Sequence, residues 1–251
     1  MYNFICLLLL FLVSSICYGG TIDSSNSDNS YIEFGKKFTC VKSLVGQESA
    51  DKSKLYVASS VIIDKHWILT AAHVVDRLEE IYIIHNEEKF LISKVFIHKN
   101  FNINNFGEAD IALGYSEKEL KLEFYPVLYS DNDETDKICA IAGYGATGTL
   151  DTGISSYDGK LRAGSNKISY IYKDLLICVT DKNRSKLYLE ILPASGDSGG
   201  GLFIDGKLAG IISGVIAIDK KTDSNYGDEG CFTRVSNHIE WINSIKNDQK
   251  E

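Results

Sequence analysis

Ser195-Gly196-Asp197-Ser198-Gly199-Gly200-Gly201 is the stretch that constrains the fold most. Four of these seven residues are glycine, so the backbone can take conformations that side chains forbid and can approach a neighbouring segment or a ligand closely. The apolar runs 202–204 and 208–215 follow, joined by Asp205-Gly206, a dipeptide that favours a two-residue hairpin turn. The stretch therefore indicates either a hairpin loop or a small concavity lined by backbone N–H groups.

The rest of the chain has the pattern of a succession of short strands. Runs rich in Val, Ile, Tyr and Phe are separated by Asn, Asp, Gly and Lys, as is typical of strands between turns. The clearest runs are 55–63, 81–84, 90–97, 138–142 and 175–180. One helix is expected at 237–247, with Asn237 as its N-cap and apolar side chains near one face. Many strands with one terminal helix predict an all-β barrel or sandwich.

Composition excludes several classes of protein. The 251 residues are 44% hydrophobic and 24% charged, which is ordinary for a globular chain and argues against disorder. Lys and Arg number 26 against 34 Asp and Glu, a net charge of -8. Proteins that grip nucleic acid or anionic membranes need positive charge, so we expect no nucleic-acid partner.

The N-terminus indicates export. Residues 5–13 form an unbroken apolar run inside a segment, 1–19, that has the length of a secretory signal peptide and ends in small residues. After its removal we expect no stable insertion in a membrane. The chain would be secreted, and it would be extracellular or, in a Gram-negative bacterium, periplasmic. Residues 20–31 are rich in Ser, Asn and Asp and are expected to be a flexible leader or propeptide.

Four cysteines remain after the signal peptide: Cys40, Cys139, Cys178 and Cys231. A secreted chain meets an oxidising compartment, where cysteines usually pair, and four cysteines allow three connectivities. All four are therefore disulfide candidates.

Three segments carry residues suited to catalysis. Trp67-Ile-Leu-Thr-Ala-Ala-His73 runs from large apolar residues to a histidine among small ones, and Asp110 stands among apolar residues, where a carboxylate needs a hydrogen-bond donor. Ser198 stands in the glycine-rich stretch. Each residue alone has an equally good structural explanation, but serine catalysis requires a hydroxyl, a base and a group that orients the base. Together they predict these roles for Ser198, His73 and Asp110.

The same motifs, in this order, resemble those of a known family. Thr70-Ala-Ala-His73, Asp110-Ile-Ala-Leu113 and Gly196-Asp-Ser-Gly-Gly200 resemble the signature motifs of the chymotrypsin/trypsin-like serine proteases. Gly143-Tyr-Gly145 resembles a further segment of that family. The resemblance covers residues 32–245, nearly all of the expected mature chain.

This resemblance implies a domain organisation. Residues 32–251 would form a trypsin-like protease domain of two six-stranded antiparallel β-barrels. The first barrel would span about 32–125 and the second about 126–236, with the C-terminal helix at 237–247.

The resemblance also implies a mechanism in the cleft between the barrels. Ser198 would attack the scissile carbonyl, His73 would move the proton, and Asp110 would orient His73. The backbone N–H groups of Gly196 and Ser198 would form the oxyanion hole. We expect a secreted monomeric serine endopeptidase that acts on peptides or proteins through an acyl-enzyme and needs no cofactor or metal. The alternative is a catalytically silent binding protein of the same fold.

The specificity pocket is inferred from the resemblance as well. Leu192 stands six residues before the nucleophile, where an enzyme specific for Lys or Arg has an aspartate. The walls of the pocket would come from Ser213, Gly214, Val215 and Gly230. Because Leu192 removes the preference for a basic residue and Val215 narrows the pocket, we expect a small or medium apolar residue before the scissile bond.

Activation departs from the family pattern. In the family, the α-amine of the processed chain pairs with the aspartate that precedes the nucleophile, which makes Asp197 the candidate for this ion pair. Ile32 is the best match for such a processed start, but Tyr31 precedes it instead of Arg or Lys. Either another protease cuts after Tyr31 or no such cleavage is needed.

The cysteines depart from the family pattern too. The bridges that flank the catalytic histidine and the pocket are missing. For the remaining cysteines the resemblance implies the pairs Cys178–Cys231 and Cys40–Cys139.

Overall fold

The computed structural model describes residues 20–183, 187–221 and 223–249. The predicted signal peptide at 1–19 lies outside these residues. The described chain opens with strand β1 (Thr21–Ile22) and helix α1 (Asp28–Gly35). β1 and the first four residues of α1 lie in the segment 20–31 that was expected to be a flexible leader. The structure differs from that expectation because β1 pairs with two other strands and α1 packs on a strand of the second half of the chain.

The first half of the chain forms one seven-stranded sheet around an apolar core. Its elements are β2 (Val41–Glu48), β3 (Asp51–Asp64), β4 (Trp67–Thr70), α2 (Ala72–Val75), β5 (Leu78–His85), β6 (Glu88–Leu91), β7 (Lys94–Ile97) and β8 (Ala112–Tyr115). The strand order is β6-β5-β2-β3-β4-β8-β7, which among the described residues is an open sheet and not the expected closed six-stranded barrel. Ile81, Ile83 and His85 of β5 are buried while Tyr82 and Ile84 between them are partly exposed, which is the two-residue period of a strand with one face on a core. This open sheet is a half-barrel with its own apolar core, and we refer to it as the first barrel.

The second half forms a closed barrel. Its elements are β9 (Ile138–Gly143), β10 (Thr147–Thr149), β11 (Gly153–Ser156), β12 (Arg162–Tyr172), β13 (Leu175–Val179), β14 (Ile191–Leu192), β15 (Gly201–Ile204), β16 (Lys207–Ile216) and β17 (Glu229–Arg234). The barrel order is β12-β13-β17-β16-β15-β9, and a small sheet, β11-β10-β1-β14, lies beside it. The predicted hairpin is confirmed: Asp205 and Gly206 have φ of 48° and 78° and connect β15 to β16. The all-β fold class is therefore confirmed.

The C-terminal helix starts slightly later than the sequence pattern indicates. A 3-10 turn (Val235–His238) precedes α3 (Ile239–Asp248), and His238 takes the N-cap position without a side-chain capping bond. Asn237, the expected cap, instead donates from Nδ2 to Asp174 Oδ1 at 2.7 Å. The sequence pattern missed this because Asp174 is remote in the chain. No helix in the described ranges is long and apolar enough to cross a bilayer.

Arg162 ties the N-terminal segment to the second barrel. Its guanidinium is 4% exposed and makes two bonds to Asp28 of α1, at 2.6 and 2.8 Å. It also makes two bonds of 2.8 Å to Asp158. Bidentate ion pairs of this kind restrict the relative orientation of two groups more than single hydrogen bonds do. Arg162 therefore fixes the position of α1 on β12.

Replacing Arg162 by Met should lower the free energy of unfolding by about 2 kcal/mol, because two partly exposed carboxylates lose their shared cation. Urea unfolding would measure the loss. The control is Lys36→Met, which removes the exposed Lys36–Glu33 pair and should leave the free energy of unfolding nearly unchanged. Equal losses in the two variants would contradict the role given to Arg162.

Candidate active site

His73 lies in α2, directly after the end of β4. Ala71 and Ala72 are fully buried, so the chain can turn sharply without crowding the imidazole. The His73 N–H lies 2.9 Å from Asp110 Oδ1, and its Nδ1 lies 2.7 Å from Asp110 Oδ2. One carboxylate thus holds both the backbone and the ring of His73. With Nδ1–H donating, Nε2 carries the free lone pair of a neutral imidazole and can accept a proton.

Asp110 comes from the first barrel but is held by the second. It is 6% exposed, and its Oδ2 accepts a 2.6 Å bond from Ser213 Oγ of β16. Its backbone carbonyl accepts a 3.0 Å bond from Thr233 Oγ1 of β17. Burial acts to raise the pKa of the Asp110 carboxyl, but the hydrogen bonds from His73 and Ser213 outweigh burial and hold that pKa below its usual value. The carboxylate therefore stays ionised beside His73.

Asp174 also supports this segment and carries no sequence signal. Its Oδ2 accepts the Ala109 N–H at 3.2 Å and lies 2.6 Å from His238 Nε2. Ala109 has φ of 49°, a strained conformation for a residue with a side chain, and it immediately precedes Asp110. Asp174 is thus a neighbour of the candidate site that no motif indicates.

The glycine-rich stretch reaches the end of β4 through Gly199. A Cβ atom on Gly199 would lie 2.1 Å from Thr70 Oγ1 and 2.2 Å from the Ser59 carbonyl oxygen, so only glycine allows this contact. Ser198 is therefore held beside the segment that carries His73, and its own carbonyl accepts the Ser59 N–H at 2.9 Å.

Two backbone donors of this stretch are available to a ligand. The Asp197 N–H donates to the Ala194 carbonyl oxygen at 3.1 Å. The N–H groups on either side, those of Gly196 and Ser198, have no acceptor among the residues that the structure describes. This arrangement suits a negatively charged oxygen bound next to the Ser198 hydroxyl.

Asp197 is buried behind the loop, and three backbone N–H groups point at its carboxylate. Gly145 donates at 2.9 Å, Ala194 donates at 3.1 Å, and the third donor is Gly20. Burial raises the pKa of Asp197 to about 6. Ile32, the expected partner segment, lies inside α1, whereas buried Gly20 is the first described residue. In this structure Gly20, and not Ile32, is therefore the residue whose backbone N–H lies at the Asp197 carboxylate.

The residues assigned to the specificity pocket come together. Leu192 is fully buried in β14, and a Cβ atom on Gly230 would lie 3.2 Å from Leu192 Cδ1. Val215 pairs with Gly230 across β16 and β17, and Gly214 pairs with Cys231. Ser213 belongs to the same strand, β16, and contacts Asp110. Leu192 thus packs beneath Gly230, and Val215, which is partly exposed, lies beside Gly230 on the neighbouring strand.

The cysteines do not form the expected pairs. No disulfide joins the four described cysteines. Cys178 faces Gly230 across the strand pair while Cys231 faces Ile177, so the two side chains lie on opposite faces. Cys40 and Cys139 lie in the separate cores of the two barrels. Cys139 Sγ instead lies 3.8 Å from Cys178 Sγ without a bond between them, on strands that have β12 between them.

One group of side chains in the described ranges has cation-ligand spacing. Asp219, Asp223 and Asp228 place carboxylate oxygens within 4.8 Å of one another in the loop after β16. Both oxygens of Asp228 already accept backbone N–H groups, from Ile218 at 2.9 Å and Asn225 at 3.1 Å. Asp228 is thus held by its own loop, whereas Asp223 Oδ1 is buried without a hydrogen-bond partner among the described residues.

Comparison with known proteins agrees with this geometry. The family model described as trypsin matches residues 38–242. A trypsin of Xenopus laevis is 29% identical over 93% of this chain and 97% of its own length. Chymotrypsin-like elastase family member 1 of Felis catus is 27% identical over 76% of this chain and 79% of its own length.

Two solved structures share the fold. HL collagenase superposes with a TM-score of 0.68, at 18% identity, over 84% of this chain and 94% of its own. Neuropsin, a serine protease of mouse brain, superposes with a TM-score of 0.65, at 18% identity, over 83% of this chain and 95% of its own. The family match covers both barrels and all three signature motifs, and the chain belongs to the trypsin family of serine endopeptidases.

Proposed function

We propose that Ser198 is the nucleophile of this endopeptidase, with His73 as its general base and Asp110 as the group that orients His73. The proposal is supported by the two hydrogen bonds between His73 and Asp110, one from the backbone N–H and one from the ring. The close contact of Gly199 with Thr70 and Ser59 holds Ser198 beside them. His73 Nε2 takes the Ser198 proton as Oγ attacks the scissile carbonyl, and returns that proton to the leaving amine. Water then hydrolyses the acyl-enzyme by the same route.

The N–H groups of Gly196 and Ser198 stabilise the oxygen that becomes negative in each tetrahedral intermediate. Both donors are fixed before the reaction, so they need no reorganisation when the charge develops. Donors of this kind typically contribute about 3 to 4 kcal/mol of transition-state stabilisation.

Replacing Ser198 by Ala should abolish covalent labelling by a fluorophosphonate and reduce peptide hydrolysis by at least about 10³-fold, because no nucleophile remains. Intact-protein mass spectrometry would measure labelling. The control is Ser195→Ala, three residues away and exposed, which should label like the native chain. Labelling that survives Ser198→Ala would refute the assignment, and a folded native chain that never labels would favour the silent binding protein.

We also propose that the enzyme prefers a small or medium apolar residue before the scissile bond. Leu192 offers no charge for a basic side chain, and it packs against Gly230 opposite Val215. A pocket with this lining is shallow and apolar. A small apolar side chain binds there favourably, whereas a charged side chain pays a desolvation penalty that nothing in the pocket compensates.

A panel of peptide substrates that differ only at this residue should be cleaved best after Ala, Val or Leu. Val215→Gly should deepen the pocket and raise kcat/KM for Phe relative to Ala by about 10-fold, a typical gain for added apolar contact. Turnover of p-nitrophenyl acetate, which has no such side chain, should not change. Efficient cleavage only after Arg or Lys would overturn the preference.

We further propose that the chain is secreted and that the mature chain begins at Gly20, after removal of the signal peptide at 1–19. The Gly20 N–H already donates to Asp197, and an α-amine at the same atom brings the positive charge that this buried carboxylate lacks. The segment 20–31 then stays in the folded enzyme, as the bonds between Arg162 and Asp28 require.

The chain starting at a free Gly20 amine should label with fluorophosphonate at least about 10-fold faster than the same chain acetylated at Gly20, because only the free amine supplies a charge. An α-amine titrates near 8, and the Asp197 partner raises its pKa. Labelling should therefore be full at neutral pH and fall as pH rises through that raised pKa. The acetylated chain should lack this alkaline decline. Equal rates, or an active chain whose sequenced N-terminus is Ile32, would contradict the proposal.

A further inference from the structure

Ser59 lies where the first barrel meets the glycine-rich loop, and no motif singles it out. It belongs to β3 and is 0% exposed. Its hydroxyl donates to the Gly196 carbonyl oxygen at 3.0 Å and accepts the Tyr144 N–H at 2.9 Å. A serine hydroxyl has one proton to donate, so this side chain commits its only donor to the loop.

The backbone of Ser59 reinforces the same contact. Its N–H donates to the Ser198 carbonyl oxygen at 2.9 Å, and its carbonyl oxygen accepts a 2.9 Å bond from Thr70 Oγ1. Ser59 therefore holds the carbonyl groups of Gly196 and Ser198, the two residues whose N–H groups are left for a ligand.

The side-chain bond acts on a specific peptide unit. The Gly196 carbonyl belongs to the planar peptide that joins Gly196 to Asp197 and so connects the two oxyanion-hole donors. Gly196 has φ of 87°, and glycine resists rotation about its backbone bonds less than any other residue. The Asp197 N–H of this peptide donates to the Ala194 carbonyl oxygen within the loop at 3.1 Å, and the bond from Ser59 to its carbonyl oxygen is the contact that fixes the plane of the peptide from outside the loop.

We propose that Ser59 is a positioning residue for the oxyanion hole: its hydroxyl fixes the Gly196–Asp197 peptide so that the Gly196 and Ser198 N–H groups converge on one point. The inference rests on the proposed role of Ser198 and adds to it a residue of the first barrel. The hydroxyl also ties this peptide to the end of β9 through Tyr144, so both barrels control the hole.

Water is a poor substitute for the hydroxyl. The site is fully buried, and an alanine methyl group occupies part of the space that a replacing water needs. Ser59→Ala therefore leaves the Gly196 carbonyl without its donor and the Tyr144 N–H without its acceptor. The loop then relaxes toward conformations in which the two donors diverge.

The test compares Ser59→Ala with Ser60→Ala, the next residue of β3. Ser60 is equally buried, but its hydroxyl makes a single 3.4 Å bond to the Lys42 carbonyl oxygen, away from the loop. Ser59→Ala should slow fluorophosphonate labelling by about 10-fold or more, in line with the effect of a damaged oxyanion hole, and Ser60→Ala should not. Circular dichroism at the assay temperature checks that each variant is folded. If Ser59→Ala does not fold, Ser59→Gly replaces it in the comparison.

Two further readouts separate positioning from a general structural effect. The Ki of a peptide aldehyde built on the best-cleaved sequence should rise at least about 10-fold in Ser59→Ala while KM stays nearly constant, because only the bound hemiacetal places an oxyanion in the hole. The downfield proton resonance of the His73–Asp110 hydrogen bond should keep its native shift. A folded Ser59 variant that labels within about two-fold of the native rate, or whose KM and Ki rise together, overturns the inference. A native chain that does not label at all overturns the proposed function of Ser198 instead.

Discussion

A Cβ atom on Gly199 would lie 2.1 Å from Thr70 Oγ1 and 2.2 Å from the Ser59 carbonyl oxygen, a separation that no side chain tolerates. This close approach presses the loop of the second barrel onto the strand ends of the first. With the bonds from Ser213 and Thr233 to Asp110, it holds the segment of Ser198 beside the segment of His73. The arrangement of the candidate active site therefore depends on a position where glycine is required, because there is no room for a Cβ atom.

Two buried carboxylates, Asp110 and Asp197, lie near that contact, and their surroundings shift their pKa values in opposite directions. Asp110 receives charge-capable or hydroxyl donors from His73 and Ser213, which keep its pKa low and its charge present. Asp197 receives backbone N–H groups, and burial raises its pKa to about 6. Donors with full or developing positive charge compensate burial better than neutral amides do. The same residue type thus keeps its negative charge beside an imidazole in one place and is more readily protonated behind the loop in the other.

Sequence patterns predicted the parts of this protein that local chemistry dictates. The turn at Asp205-Gly206 followed from backbone freedom, and the strands followed from short runs rich in Val, Ile, Tyr and Phe between turn residues. The trio of His73, Asp110 and Ser198 followed from residue types that together suit one reaction. Local patterns failed where the outcome depended on distant partners. Residues 20–31 are polar and were expected to be flexible, yet Arg162 holds Asp28 in place. Cys178 and Cys231 lie on neighbouring strands, yet the register puts them on opposite faces.

The sequence by itself determined the all-β class and the family, and it predicted which residues have side chains suited to catalysis, because side-chain type and spacing along one segment carry that information. Only the tertiary structure decided what surrounds those residues: Ser59 against Gly196, Asp174 against Ala109, and Gly20 against Asp197. Each of these pairs joins segments more than 60 residues apart in the chain. Their contact depends on strand register and on how two barrels pack, which are properties of the whole chain and not of any motif.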